Sequence, residues 1–134
     1  MLSKCLASVL FSVITIVAIE GCQSMSRYYT LEICNKSPYL CKDLTITYGN
    51  TPPINKGDFD VGDNCASEAG EFGPVPEDAT ISWIESDNRK YEVTAKVREA
   101  VGSKNITGEK PKIIFCIQPD RSVNVKYIPN IWKS

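Results

Sequence analysis

The chain contains 134 residues, of which 15 are Lys or Arg, 16 are Asp or Glu and none is His. The absence of His excludes catalytic Ser/His and Cys/His pairs and no pair of carboxylates stands out as an acid/base couple, so we predict no enzymatic activity. Residues 27–78 carry four basic and nine acidic side chains, whereas residues 79–134 carry ten basic and six acidic ones. This division does not provide the continuous basic face of a nucleic-acid-binding protein, and it favours a protein partner.

The N-terminal segment has the organisation of a secretory signal peptide. Lys4 provides a short basic region, an apolar run extends from Leu6 to Ile19, and Gly21 precedes Cys22. An apolar run of about 14 residues is too short to cross a membrane as a helix. We therefore predict a signal peptide at residues 1–21 and a mature protein outside the cytoplasm.

The same segment resembles the lipobox of bacterial lipoproteins, in which an aliphatic residue stands three positions before a Cys that receives lipid. Ile19, Gly21 and Cys22 match this pattern, whereas Glu20 departs from it. The resemblance implies a lipidated Cys22, a tether at residues 22–27 and a membrane anchor in the periplasm, at the outer membrane because the residue after the Cys is not Asp. Ordinary signal cleavage a few residues further on is the alternative.

Four cysteines remain if Cys22 carries lipid and Cys5 leaves with the signal peptide: Cys34, Cys41, Cys65 and Cys116. An even number in an oxidising compartment predicts two disulfides, each of which contributes about 2–4 kcal/mol to stability. Of the three possible connectivities we favour Cys34–Cys41, which closes a small loop, together with Cys65–Cys116. A zinc site is the competing interpretation, but the sequence has no CxxC pair and no His, so we predict no metal and no cofactor.

Apolar and polar residues alternate in six segments, which is the pattern of strands with one buried face. These segments are centred on Leu31, Ile46, Ile81, Val93, Phe115 and Val125. Residues 86–89 and 118–121 have the sequences of hairpin turns, and no window shows a helical period. We predict a single-domain, immunoglobulin-like antiparallel β-sandwich over residues 28–134, with an open barrel as the alternative.

Residues 49–78 interrupt the alternation, and we expect them to form a long loop of the kind that is often functional. The part from Gly57 to Asp78 contains seven carboxylates and no basic residue. We expect it to bind a basic partner, with the carboxylates steering association and Phe59 or Phe72 acting as an apolar anchor. The candidate contact residues are Asp58, Phe59, Asp60, Val61, Asp63, Glu68, Glu71 and Phe72.

Two other interpretations of this segment remain open. In the first, the segment is a solvated surface loop with one extra strand at residues 58–61. In the second, Asp58, Asp60 and Asp63 form a calcium site. The spacing of the three Asp departs from that of the EF-hand loop, and the distal Glu of that loop is missing.

Several short motifs together resemble a known family. They are Leu44–Tyr48, Phe59–Gly62, Val75–Pro76 followed by Ala79–Trp83, Ile114–Asp120 and Val123–Val125, in addition to the lipobox. The chain is similar in these motifs to the small lipoproteins that accompany type VI secretion phospholipase effectors as their immunity proteins. The resemblance implies a periplasmic protein that binds a lipase-type effector and occludes its active site.

Two further classes of function are compatible with an exported β-sandwich. An envelope-associated structural or adhesion module would lack an effector gene beside its own, and a periplasmic ligand-binding lipoprotein would need an apolar pocket with convergent polar groups. A neighbouring gene for a lipase with a G-x-S-x-G motif would favour the immunity function.

The lipobox leads to a first testable prediction. Cys22→Ala should move the protein from the membrane fraction to the soluble periplasm, because the variant cannot receive the lipid that anchors it. Fractionation followed by immunoblotting measures the change, and Cys5→Ala serves as the control that stays in the membrane fraction. A Cys22→Ala protein that still pellets with outer membranes would rule out lipidation at this position.

Overall fold

Eight β-strands and one short helix make up the part of the chain that the structure, a computed structural model, describes: residues 28–106 and 108–129. The predicted signal peptide, Cys22 and the tether lie outside the described residues. The strands are β1 (Tyr28–Asn35), β2 (Cys41–Tyr48), β3 (Ile54–Phe59), β4 (Asn64–Glu71), β5 (Asp78–Ile84), β6 (Lys90–Lys96), β7 (Lys112–Ile117) and β8 (Val123–Ile128), and the helix is α1 (Val97–Val101). Within these ranges no helix is long and apolar enough to span a membrane.

The strands form two four-stranded sheets that pack face to face, which confirms the predicted β-sandwich. The first sheet has the order β4-β1-β7-β8, and the second sheet has the order β3-β2-β5-β6. Neighbouring strands are antiparallel except β1 and β7, which are parallel. The hairpins β5–β6 and β7–β8 form at the two predicted turns.

The core consists of the inward-facing side chains of both sheets. On β1 the alternation places Tyr29, Leu31 and Ile33 in the core, and none of them is more than 3% exposed. Burial of a side chain of this size contributes about 1.5–3 kcal/mol, so the alternating strands hold the two sheets together. The largest buried side chains of the other strands are Leu44, Ile46, Tyr48, Ile81, Trp83, Ile113, Phe115 and Ile117.

A β-bulge in β2 turns Cys41 toward the core. Cys41 and Leu44 are three positions apart and would face opposite sides of a regular strand, yet both are 0% exposed. The register with β3 shifts between these two residues, and Asp43 in the bulge has a positive φ of 55°. The bulge is stabilised from β3, where Asp58 Oδ1 accepts a hydrogen bond from the Asp43 N–H at 3.0 Å.

The expectation of a long loop at residues 49–78 is wrong, because this segment contains both β3 and β4. The two strands lie at the edges of their sheets and face each other across one rim of the sandwich. A register shift near Gly57 breaks the alternation in β3, and the small residues of β4 bury little apolar area. The sequences of β3 and β4 therefore lack the regular alternation of apolar and polar residues from which a strand is predicted.

The prediction of two disulfides among Cys34, Cys41, Cys65 and Cys116 is wrong, and so is the favoured pairing, because one disulfide forms among these four residues. Cys34 on β1 is bonded to Cys65 on β4, and Cys41 and Cys116 are free thiols. Cys41 faces the core from the second sheet, whereas Cys34 lies on the outer face of the first sheet, so the two sulfurs cannot meet. Cys65 on β4 and Cys116 on β7 are both register partners of Cys34, one on each side of β1. Strand β1 therefore separates Cys65 from Cys116.

An ion pair links the two sheets at one end of the sandwich. Glu85 directly follows β5 and is 5% exposed, and Arg121 in the β7–β8 turn donates two hydrogen bonds of 2.8 Å to its carboxylate. Trp83 Nε1 donates a third at 3.1 Å, and the guanidinium lies over the rings of Tyr39 and Tyr91. The hydrogen bonds from Arg121 hold the pKa of Glu85 below its usual value of 4.5, against the opposing effect of burial.

The ion pair gives the stability of the fold a defined pH dependence. Because the pKa of Glu85 is lower in the folded state, the stabilisation is complete above the unfolded-state pKa and is lost as the pH falls through the folded-state value. Glu85→Gln keeps an oxygen for Trp83 but removes the charge. Urea denaturation from about pH 6 to about pH 3 should therefore show a shallower loss of stability in Glu85→Gln than in the wild type.

Glu92→Gln is the matched control, because Glu92 is exposed on β6. This variant should retain the wild-type pH dependence. Equal pH dependence in the wild type and Glu85→Gln would show that the ion pair does not contribute to stability.

Candidate interaction surface at the acidic turn

The chain crosses from the second sheet to the first through four residues, 60–63, which we call the acidic turn. Asp60 and Asp63 are exposed, and the Val61 side chain between them is 53% exposed. Val61 and Tyr28 are the large apolar residues that the described part of the chain exposes most clearly. The turn therefore presents an apolar side chain between two carboxylates at the rim of the sandwich.

A buried amide holds this turn in place. Asn35 ends β1 as its last inward-facing residue and is 0% exposed. Its Nδ2 donates hydrogen bonds to the carbonyl oxygens of Tyr39, at 2.7 Å, and Asp60, at 2.9 Å. Its Oδ1 accepts hydrogen bonds from the backbone N–H and the hydroxyl of Ser37, at 3.0 and 2.6 Å. One satisfied carboxamide thus connects the 36–40 loop to the acidic turn.

Backbone contacts complete the anchoring. The Gly62 N–H donates a hydrogen bond to the Ser37 carbonyl at 3.2 Å, and the Val61 N–H donates to Asp60 Oδ1 at 3.3 Å. Gly62 has a φ of 95°, a conformation that residues with a Cβ rarely adopt. The turn is therefore fixed before any partner binds, which reduces the entropy lost on association.

The three Asp side chains near this rim, Asp58, Asp60 and Asp63, have no ion-pair partner among the described residues, 28–106 and 108–129. Lys56 lines the same open groove between β3 and β4, but its Nζ binds Glu68 at 2.9 Å and the Ser67 carbonyl at 3.2 Å. The three carboxylates thus remain available to a basic partner.

The predicted contact residues do not form one surface. Asp60, Val61 and Asp63 lie in the acidic turn, and Asp58 precedes it on β3 and lines the same groove as Asp60. Glu68 lies on β4 in its ion pair with Lys56. Glu71 is at the far end of β4, about 24 Å from Asn64 at the 3.4 Å rise of a strand.

Of the two predicted aromatic anchors, Phe59 is buried and Phe72 is partly buried against the core. Phe59 is 5% exposed and faces the core opposite Cys41 in the β2–β3 register. Phe72 packs against Tyr29 and Tyr48, with ring centroids 5.4 and 5.8 Å away. The anchoring role of Asn35 was missed by the sequence analysis, and its position two residues after the inward-facing Ile33 is the signal that indicates it.

Metal binding receives little support from the geometry. In the described ranges, Glu32, Cys34 and Cys65 bring potential ligand atoms within 4.8 Å of one another, but the disulfide removes both thiolates. The three Asp of the calcium interpretation do not form such a group among these residues. Asp58 Oδ1 and Asp60 Oδ1 instead accept backbone hydrogen bonds.

Comparisons with known proteins give no functional information. No protein-family model matches the chain, and no curated protein sequence matches it. The fold is similar to a solved structure described as the NMR structure of the protein from Eubacterium rectale, with 13% sequence identity and a TM-score of 0.47. That similarity covers 75% of this chain and 87% of the other.

The anchoring role of Asn35 is testable. Asn35→Ala removes four hydrogen bonds from a buried position and should destabilise the domain by about 2–4 kcal/mol, since each buried polar group left without a partner costs about 1–3 kcal/mol. Amide hydrogen exchange at residues 60–63 should accelerate more than exchange in β5. Asn124→Ala, an exposed change on β8, is the control; uniform acceleration across both sheets in Asn35→Ala would contradict a local anchoring role.

Proposed function

We propose that the protein is a membrane-anchored periplasmic immunity protein that binds a secreted lipase-type effector and occludes its active site. The observation that supports this most directly is the rigid acidic turn, which presents the exposed Val61 between Asp60 and Asp63. A narrow, fixed turn at the rim of a sandwich has the shape needed to enter a cleft. The resemblance to lipoproteins that accompany phospholipase effectors supplies the class of partner.

The charges of the turn suit the first step of such binding. Asp58, Asp60 and Asp63 attract a basic partner over about one Debye length, which is about 8 Å at physiological salt, and raise the association rate. Val61 contributes apolar contact area once the surfaces meet. Because the turn is held by Asn35 in the free protein, little conformational entropy is lost in the complex.

The turn alone is too small for a stable interface, which buries about 800 Å² on each partner. Its neighbours extend the surface. The exposed Lys36 and Pro38 lie on the loop that Asn35 connects to the turn, and Asn64 lines the groove on the other side. We propose that this continuous area contacts the effector.

The two other classes of function remain as alternatives. An adhesion module would use the same rim to contact an envelope protein, and the neighbouring gene distinguishes it from an immunity protein. A ligand-binding lipoprotein would need an enclosed apolar pocket, whereas the groove beside α1 is open and lined by charged residues such as Lys96, Arg98 and Glu99.

The charge of the turn gives a prediction about association kinetics. Asp58, Asp60 and Asp63 should together be changed to Asn, because Asn retains the oxygen that accepts the hydrogen bond and removes the charge. The triple variant should associate with the purified effector about tenfold more slowly at low salt and nearly as fast as the wild type at high salt. Surface plasmon resonance at two ionic strengths measures both rates.

A triple variant of Glu77, Glu92 and Glu99 to Gln is the matched control, since these residues are exposed and none of them lines the groove that contains Asp58 and Asp60. It should associate at the wild-type rate. Val61→Ser should mainly increase the dissociation rate, because it removes apolar contact without changing charge. Unchanged kinetics in both the acidic triple variant and Val61→Ser would exclude the turn as the binding surface.

A further inference from the structure

Three cysteines lie side by side on the outer face of the first sheet. Cys34 on the central strand β1 pairs in register with Cys65 of β4 on one side and with Cys116 of β7 on the other. Cys34 and Cys65 form the disulfide, and Cys116 is a free, partly exposed thiol. A free thiol thus adjoins a disulfide along a single row.

Strand spacing determines which sulfurs in this row can bond. A disulfide requires closely spaced Cα atoms, which are usually about 4.4–6.8 Å apart and are 4.0 Å apart in Cys34–Cys65, and strands that are neighbours in a sheet lie about 4.8 Å apart. Cys34 and Cys116 therefore satisfy the requirement as register partners on parallel strands. Cys65 and Cys116 are two strand spacings apart, about 9.6 Å, and cannot be bridged. Cys34 is the one cysteine of the row that can bond to either neighbour.

We propose that the row is a thiol–disulfide exchange site at which Cys34 alternates between a bond to Cys65 and a bond to Cys116. The Cys116 thiolate attacks Cys34 Sγ from the side opposite Cys65. The bond between Cys116 Sγ and Cys34 Sγ forms, and the bond between Cys34 Sγ and Cys65 Sγ breaks. Cys65 leaves as a thiolate and takes up the proton that Cys116 lost. The Cys116 sulfur is oxidised and the Cys65 sulfur is reduced, so the step needs no external oxidant or reductant.

The surroundings of Cys116 set the rate of this exchange. Burial is the largest influence and raises the pKa of the Cys116 thiol, and Glu32 on β1 and Asp63 in the acidic turn act in the same direction. Lys36 after β1 and Lys126 on β8 act in the opposite direction. Because the thiolate is the nucleophile, the exchange rate should increase about tenfold for each unit of pH below the thiol pKa.

The exchange would change which strands are crosslinked. The Cys34–Cys65 bond ties the edge strand β4 to β1, whereas a Cys34–Cys116 bond would crosslink two strands inside the sheet and leave β4 without a covalent crosslink. Cys65 is exposed, so the displaced thiol would be accessible to thiol reagents and to other thiols. This inference depends on the cysteine row and not on the proposed immunity function.

Disulfide mapping of the isolated protein tests the proposal directly. The protein is incubated at about pH 8 without oxidant, quenched with acid and treated with N-ethylmaleimide, and its peptides are analysed by mass spectrometry without reduction. We expect both Cys34–Cys65 and Cys34–Cys116 peptides, with label on Cys116 and Cys65 respectively. Cys116→Ser should abolish label on Cys65, and the control Cys41→Ser should not.

A second variant removes the competing bond. In a glutathione buffer that fully oxidises the wild-type disulfide, Cys65→Ser should form Cys34–Cys116. The proposal is overturned if Cys65→Ser has a native circular dichroism spectrum but keeps Cys34 and Cys116 as thiols in this buffer. If Cys65→Ser does not fold, the wild-type experiment decides the question, because an absence of label on Cys65 overturns the proposal equally.

Discussion

The buried carboxamide of Asn35 is the constraint on which the acidic end of the sandwich depends. A fully buried amide must have its donors and acceptor satisfied, and here the partners come from the 36–40 loop and from residue 60. The position of the amide follows from the alternation of β1, which points Asn35 inward after Tyr29, Leu31 and Ile33. Packing of one strand thus determines the placement of a turn that lies 25 residues further along the chain.

The sequence predicts the positions of those strands that have one fully buried face. The apolar positions of β1, β2, β5 and β7 alternate because they contact the opposite sheet, and this predicted both their location and the sandwich. The edge strands β3 and β4 were missed for the same reason, since β4 buries only small side chains and β3 contains an irregularity at Gly57. The acidic composition of residues 57–78 is evident from the sequence, but which of its side chains are buried depends on contacts that alternation does not reveal.

Cysteine pairing shows most clearly what sequence spacing leaves undetermined. Cys34 and Cys41 are close in the chain, but the chain changes sheets between them, and the bulge at Asp43 turns Cys41 inward. Burial raises the pKa of the Cys41 thiol to about 11, which keeps it protonated and unreactive. The partner of Cys34 is 31 residues away because β4, and not β2, is its neighbour in the sheet.

The parallel pairing of β1 with β7 affects the order in which the molecule can assemble. Contacts such as that between Glu32 and Lys112 join residues 80 positions apart, so the centre of the first sheet cannot close until nearly the whole domain has been synthesised. Closing such long loops lowers the folding rate relative to a sandwich built from sequential hairpins. Slow closure keeps a nascent chain extended for longer, and an extended chain is the form in which a protein bearing the predicted signal peptide would cross the inner membrane.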